Sequence, residues 1–126
     1  MPEKTSAETP AETASPPPSP TTTTYCVVQT ALASEAQAEA LARLIVGARL
    51  GACVQLQPIR SFYRWQNEVR DESEFLLQIK TRQACYPALE AFIRAHHSYE
   101  TPEIVQLPIT AGSADYLQWL QAETGG

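Results

Sequence analysis

The sequence predicts an α+β fold: a ferredoxin-like split βαβ sandwich in the order β, α, β, β, α, β, with a closing C-terminal helix. Two observations predict it. Apolar residues recur at helical spacing in two long segments, one around Leu41 and one around Phe92. Four other segments are rich in β-branched and aromatic residues or alternate in polarity, and they flank the helical segments in the order a split βαβ unit requires.

The first strand is read from "TTYCVVQTAL". In "SEAQAEALARLIVGARLG", Ser34 with Gln37 three residues on forms a capping box, and Ala38, Leu41, Ile45 and Ala48 mark one buried face. Gly51 is the expected stop of this helix, which should run four to five turns. Residues 52 to about 66, "ACVQLQPIRSFYRWQ", read as a second strand, and Pro58 requires that strand to bend or lie at a sheet edge. "NEVRDES" is expected as the hairpin connection, and "EFLLQIKT" returns as a third strand.

"RQACYPALEAFIRAHH" gives the second helix, with Pro87 in the first turn and Tyr86, Leu89, Phe92 and Ile93 as its buried stripe. "TPEIVQLPIT" is the fourth strand, and "SADYLQWLQAE" a short final helix capped by Ser113. The third strand has apolar side chains for both sheet faces, and Tyr63 and Trp65 carry the second beyond its neighbours. A long exposed edge of this kind predicts oligomerisation through strand pairing.

Domain organisation follows from composition. Residues 1–24, "MPEKTSAETPAETASPPPSPTTTT", hold six of the ten prolines and no aromatic residue, and are expected as a disordered arm before one domain over residues 25–126. The arm lacks the apolar centre of a secretory signal and the arginines of a transit peptide, so a cytoplasmic location is expected. No run of eighteen apolar residues occurs, so no membrane partner is expected. A net charge of −5 with scattered basic residues argues against nucleic acid. Cys26, Cys53 and Cys85 are odd in number and contain no CxxC pair, which supports neither a disulfide framework nor a structural zinc site.

In residues 25–126 the motifs "LGACVQL", "SFYRWQNEV", "LLQIKT", "PALEAFIRAHHSYETPEIVQLPI" and "DYLQWL" stand in an order and spacing that resemble the CutA family of divalent-cation tolerance proteins. The resemblance implies a homotrimer of ferredoxin-like subunits whose long strands pair between chains, similar in architecture to the trimeric PII signalling proteins. It implies binding of Cu(II) or another divalent cation that folding does not require. The family's metal role is attributed partly to histidines matching His96 and His97, and to a cysteine at the end of the first strand. Here Gln29 stands near that position, and Cys26, three residues earlier, belongs to the other strand face.

The candidate metal residues are therefore His96, His97 and Cys53. Imidazole suits copper, nickel and zinc, and a half-buried thiol suits soft metals. The competing readings are a donor side chain closing a helix, for the histidines, and a small apolar filler, for Cys53. Tyr63, Trp65, Lys80, His97, Tyr99 and Glu103 form a second candidate set, a polar intersubunit cleft for a small-molecule ligand, which competes with an interfacial hydrogen-bond network. No nucleophile elbow, phosphate loop or zinc-protease motif occurs, and the protein is expected not to be an enzyme. The leading functional expectation is copper or divalent-cation binding in metal tolerance. The alternative is a PII-like sensor that holds an anionic metabolite through Lys80 and arginines.

Overall fold

A computed structural model describes residues 23–125; nearly all of the arm expected at 1–24 lies outside the described residues. The elements are β1 (Tyr25–Leu32), α1 (Glu35–Gly47), β2 (Cys53–Trp65), β3 (Glu68–Arg82), a 3-10 turn at Gln83–Cys85, α2 (Tyr86–His96), β4 (Val105–Ile109) and α3 (Ala114–Glu123). The sheet is antiparallel with strand order β2-β3-β1-β4, which is the expected ferredoxin-like arrangement.

The core lies between the sheet and the first two helices. Cys26, Val28 and Leu32 of β1 and Leu77 and Ile79 of β3 meet Ala38, Leu41 and Ile45 of α1 and Leu89 and Ile93 of α2. Alternation along β1 buries Cys26, Val28 and Thr30 and leaves Gln29 on the opposite, open face. Pro58 sits in β2, the edge strand, where its missing N–H breaks no ladder to an outer neighbour. Pro87 occupies the first turn of α2, and Tyr86 and Phe92 pack at the margin of the core.

Several boundaries differ from the sequence expectation for local reasons. The Ser34 oxygen accepts from the Gln37 N–H at 3.2 Å, which starts α1 as anticipated. The helix ends earlier than Gly51, in thirteen residues and fewer than four turns. Arg49 takes the left-handed conformation (φ 60°), and Leu50 N–H closes on the Ile45 carbonyl at 3.1 Å. Gly51 serves packing instead: a Cβ there would lie 2.5 Å from Ile79 Cγ2 and 3.0 Å from Ile45 Cγ2.

"NEVRDES" is strand rather than connection. The turn is Gln66-Asn67, both with positive φ (52° and 66°), and β3 begins at Glu68. β4 is shorter than expected, leaving residues 101–104 as loop. Ser113 does not cap α3 with its side chain. That helix is fastened at its C-terminal end, where Arg49 donates to the Ala122 carbonyl and Arg82 to the Thr124 carbonyl, each at 2.6 Å. Cations at exposed C-terminal carbonyls are favourable by both hydrogen bonding and dipole.

The lengths of the central strands position the site. β1 pairs with β3 from Phe75 to Arg82, so residues 68–74 of β3 pair with β2 alone. The seven residues carry the hairpin about 24 Å beyond β1, at about 3.4 Å per residue. Phe62 and Val69 lie on it 70% and 72% exposed, an unusual arrangement for apolar side chains on a free ribbon.

Candidate functional site

The cleft begins where β1 ends. The β1–β4 ladder stops at Gln29, so Ala31, still paired with Leu76 of β3, has no β4 partner, and a buried carbonyl on that side needs a donor. His97 supplies it. α2 ends at His96, and His97 takes an extended conformation (φ −89°, ψ 140°) that turns its ring toward β1. Its Nε2 lies 2.8 Å from the Ala31 oxygen, while its Nδ1 accepts the Tyr99 N–H at 3.1 Å. An Nδ1 that accepts leaves the proton on Nε2, so the ring is the neutral Nε2–H tautomer donating to Ala31. Burial lowers its pKa, against weaker opposing contributions from the Ala31 bond and Glu74.

Tyr99 then reaches the base of the hairpin. Its hydroxyl donates to Glu74 Oε2 at 2.7 Å, and its ring packs on His97 with centroids 4.8 Å apart. Two contacts therefore hold the α2–β4 loop beside the hairpin, and the space between them is a cleft of about 720 Å³. Its volume falls in the usual range of small-ligand sites. Ser61, Phe62, Tyr63 and Trp65 line it from β2, Arg70, Glu72 and Glu74 from β3, and residues 98–101 with Glu103 from the loop.

The electrostatics of this cleft are one-sided. Four carboxylates, Glu72, Glu74, Glu100 and Glu103, face a single cation, Arg70, which is itself 3.6 Å from Glu68 on the same strand. Arg70 Nε is buried without an acceptor among the described residues. Glu74 is only 7% exposed, and among the described residues no Lys, Arg or His forms an ion pair with it. Its hydrogen-bond donor among the described residues is a neutral phenol, that of Tyr99. A buried carboxylate without a cation is energetically costly, because burial removes hydration that a single neutral donor only partly replaces.

Neighbouring groups register the negative field. Glu103 is raised above the usual carboxylate value by desolvation and then by Glu74. Tyr63 is raised mainly by donating its hydroxyl to Glu72, and Tyr99 by burial and then by its bond to Glu74.

Of the second candidate set, the structure brings Tyr63, Trp65, Tyr99 and Glu103 together around the cleft, with His97 behind Tyr99. Lys80 is not among them. It lies six residues along β3 from Glu74, about 20 Å away at strand spacing, with its Nζ 5.7 Å from the Tyr116 ring centroid.

The metal candidates do not converge either. His96 turns back, its Nδ1 2.9 Å from the Phe92 carbonyl and its ring 4.3 Å from that of Phe92. Cys53, a half-buried free thiol, pairs with Lys80. His97 is anchored on Ala31, whose register runs through Leu76 to Gln57, four residues from Cys53 along β2. That separates the thiol from the imidazole by well over about 10 Å. Among the described residues, no group of three or more His, Cys, Asp and Glu side chains is arranged to hold a metal ion.

Sequence reasoning missed Arg70 and Glu72 because their segment was read as a turn; Glu74, at the start of the expected third strand, and Glu100, in the loop after the second helix, were not marked as site residues. The Asn67 turn signal and the two-residue alternation after it were the available clues.

Fold and site together define a ferredoxin-like sandwich with an acidic, aromatic-walled cleft under a projecting hairpin. The family model described as "CutA1 divalent ion tolerance protein" matches residues 26–123, and the chain belongs to that family. It is 44% identical over 100 residues to the divalent-cation tolerance protein CutA of Thermus thermophilus, covering 79% of this chain and 97% of the relative. It is 42% identical over 92 residues to human protein CutA, covering 72% of this chain and 51% of that longer protein. Among solved structures, Oryza sativa CutA1 superposes with a TM-score of 0.79 at 37% identity, over 80% of this chain and 94% of that one. The Archaeoglobus fulgidus structure, titled a periplasmic divalent cation tolerance protein CutA, gives 0.78 at 30% identity, over 79% and 98%.

Proposed function

We propose that this chain is a non-catalytic, divalent-cation-binding protein of metal tolerance, that it works as a homotrimer, and that its acidic cleft is where cations bind. The observation that carries the reading is Glu74, a buried carboxylate facing the cleft with a phenol as its hydrogen-bond donor and no ion pair among the described residues. Glu72, Glu100 and Glu103 add to the same field. Relatives named divalent-cation tolerance proteins support the cation reading.

The cleft's oxygen donors suit a hard divalent ion better than copper. Copper prefers imidazole, and His96 has Nε2 as the ring nitrogen outside its Phe92 contact. His97 would have to surrender the Tyr99 N–H at Nδ1, the nitrogen that carries its lone pair, to serve as a ligand. A complete coordination shell would draw on a neighbouring chain, and the projecting hairpin with exposed Phe62 and Val69 supports assembly by strand pairing. Three free cysteines suit a reducing compartment such as the cytoplasm.

The PII-like reading keeps the cleft's size in its favour. Its anionic metabolite, however, would meet four carboxylates and one arginine, without Lys80.

Native mass spectrometry of the chelator-treated full chain, alone and with stoichiometric Mg(II), Mn(II) or Cu(II), tests the proposal. The expected result is a trimer with a fixed number of ions per subunit. A monomer, or uptake without a defined count, would count against it.

A further inference from the structure

Phe62, Tyr63, Trp65 and Tyr99 share the lining of the cleft with its carboxylates. A hard metal ion makes no use of aromatic walls; it requires oxygen donors converging on one point at about 2.0–2.6 Å. Within one chain these carboxylates are spread out, so a metal shell would be completed from a neighbouring chain and would leave the aromatic walls unused. Glu72 and Glu74 lie two residues apart on one face of β3, about 7 Å along the strand, and Glu100 and Glu103 stand on the facing loop.

Separated carboxylates between aromatic walls match a ligand whose own positive charges are separated by apolar carbon. An ammonium group gains from a ring face as well as from a carboxylate, and a methylene chain covers apolar wall while its charged ends remain polar-paired. Resting on the reading of the cleft as a cation site, we infer that it takes a flexible organic polyammonium ion, an aliphatic di- or triamine. One ammonium meets Glu74, a second meets Glu72 or Glu103, and the intervening methylenes lie along Tyr63 and Trp65. Arg70, turned toward Glu68, bounds the site on the side of the hairpin tip. The cleft of about 720 Å³ has room for such a chain.

Isothermal titration of the full chain with spermidine tests this, with 1,8-octanediol as an uncharged chain and Mg(II) and Cu(II) as the metal arms. Spermidine should bind saturably, the diol at least tenfold more weakly, and Glu74→Gln should weaken spermidine tenfold or more. Glu103→Gln, on the exposed loop, provides a second variant should Glu74→Gln fail to fold, and should weaken binding severalfold. Absence of saturable spermidine binding, a diol that binds equally well, or folded variants that bind like the parent would overturn the inference. A protein that binds metal but not spermidine loses this inference and keeps the cation reading; one that binds neither loses both.

Discussion

His97 shows how a residue type can suggest one chemistry while its bonds specify another. Imidazole beside imidazole reads as metal ligation in the sequence, yet Nε2–H is donated to Ala31 and Nδ1 accepts from Tyr99. The ring is a clasp between β1 and the α2–β4 loop. Its folded pKa lies below the usual 6.5, so the unfolded chain binds more protons in the interval just below that value. The stability it contributes is therefore full above pH 6.5 and is lost as pH falls through that interval. Urea unfolding at pH 7.5 and 5.5 should show this decline, and His97→Ala should flatten it while costing about 1–3 kcal/mol at pH 7.5 for two unmet backbone groups. Glu103 has the opposite sign. Its raised pKa means that its ionisation opposes folding as pH rises past about 4.5, so Glu103→Gln should be neutral or stabilising at pH 7 by the same measurement. The Ala31 partner of His97 could not be read from the sequence, because it lies 66 residues away and offers only a backbone carbonyl.

The elements were legible where one local signal dominated. The Ser34 cap, the Leu89–Ile93 stripe and the placement of Pro58 in an edge strand all follow from rules spanning a few residues, and all are observed. Signals with two uses were misassigned. Gly51 was a plausible helix stop, but Arg49 takes the left-handed position, and Gly51 lets the chain pass close to Ile45 and Ile79. Gly51→Ala should therefore destabilise by about 1–3 kcal/mol through overpacking, read as a shift in the urea midpoint. The polar run after Asn67 resembled a loop because both ribbon faces beyond β1 are open to polar residues. Its alternation was strand periodicity, and the cost of reading it as a turn was the loss of Arg70 and Glu72 from the candidate site. Gln66 occupies a left-handed position unfavourable to most side chains. Replacing Gln66-Asn67 with Asn-Gly should raise stability by about 0.5–1 kcal/mol, measured in the same way.

For the whole molecule, a hairpin reaching beyond its own sheet, with Phe62 and Val69 exposed, requires a reason outside the single chain. Association through that ribbon makes unfolding depend on dissociation, so the melting temperature should rise with protein concentration. Phe62→Ser together with Val69→Thr should weaken association in sedimentation velocity, and a parent chain that sediments as a monomer would exclude the trimer. The same hairpin forms one wall of the cleft, so the proposed assembly and the proposed cation binding would depend on one structural feature. The most direct measurement is a calorimetric titration of the parent, Glu74→Gln and His96→Ala with Mg(II) and Cu(II) at pH 7.5. Saturable binding that is weakened tenfold or more by Glu74→Gln and retained by His96→Ala is the predicted result. Binding untouched by Glu74→Gln and abolished by His96→Ala would contradict the cleft as the cation site.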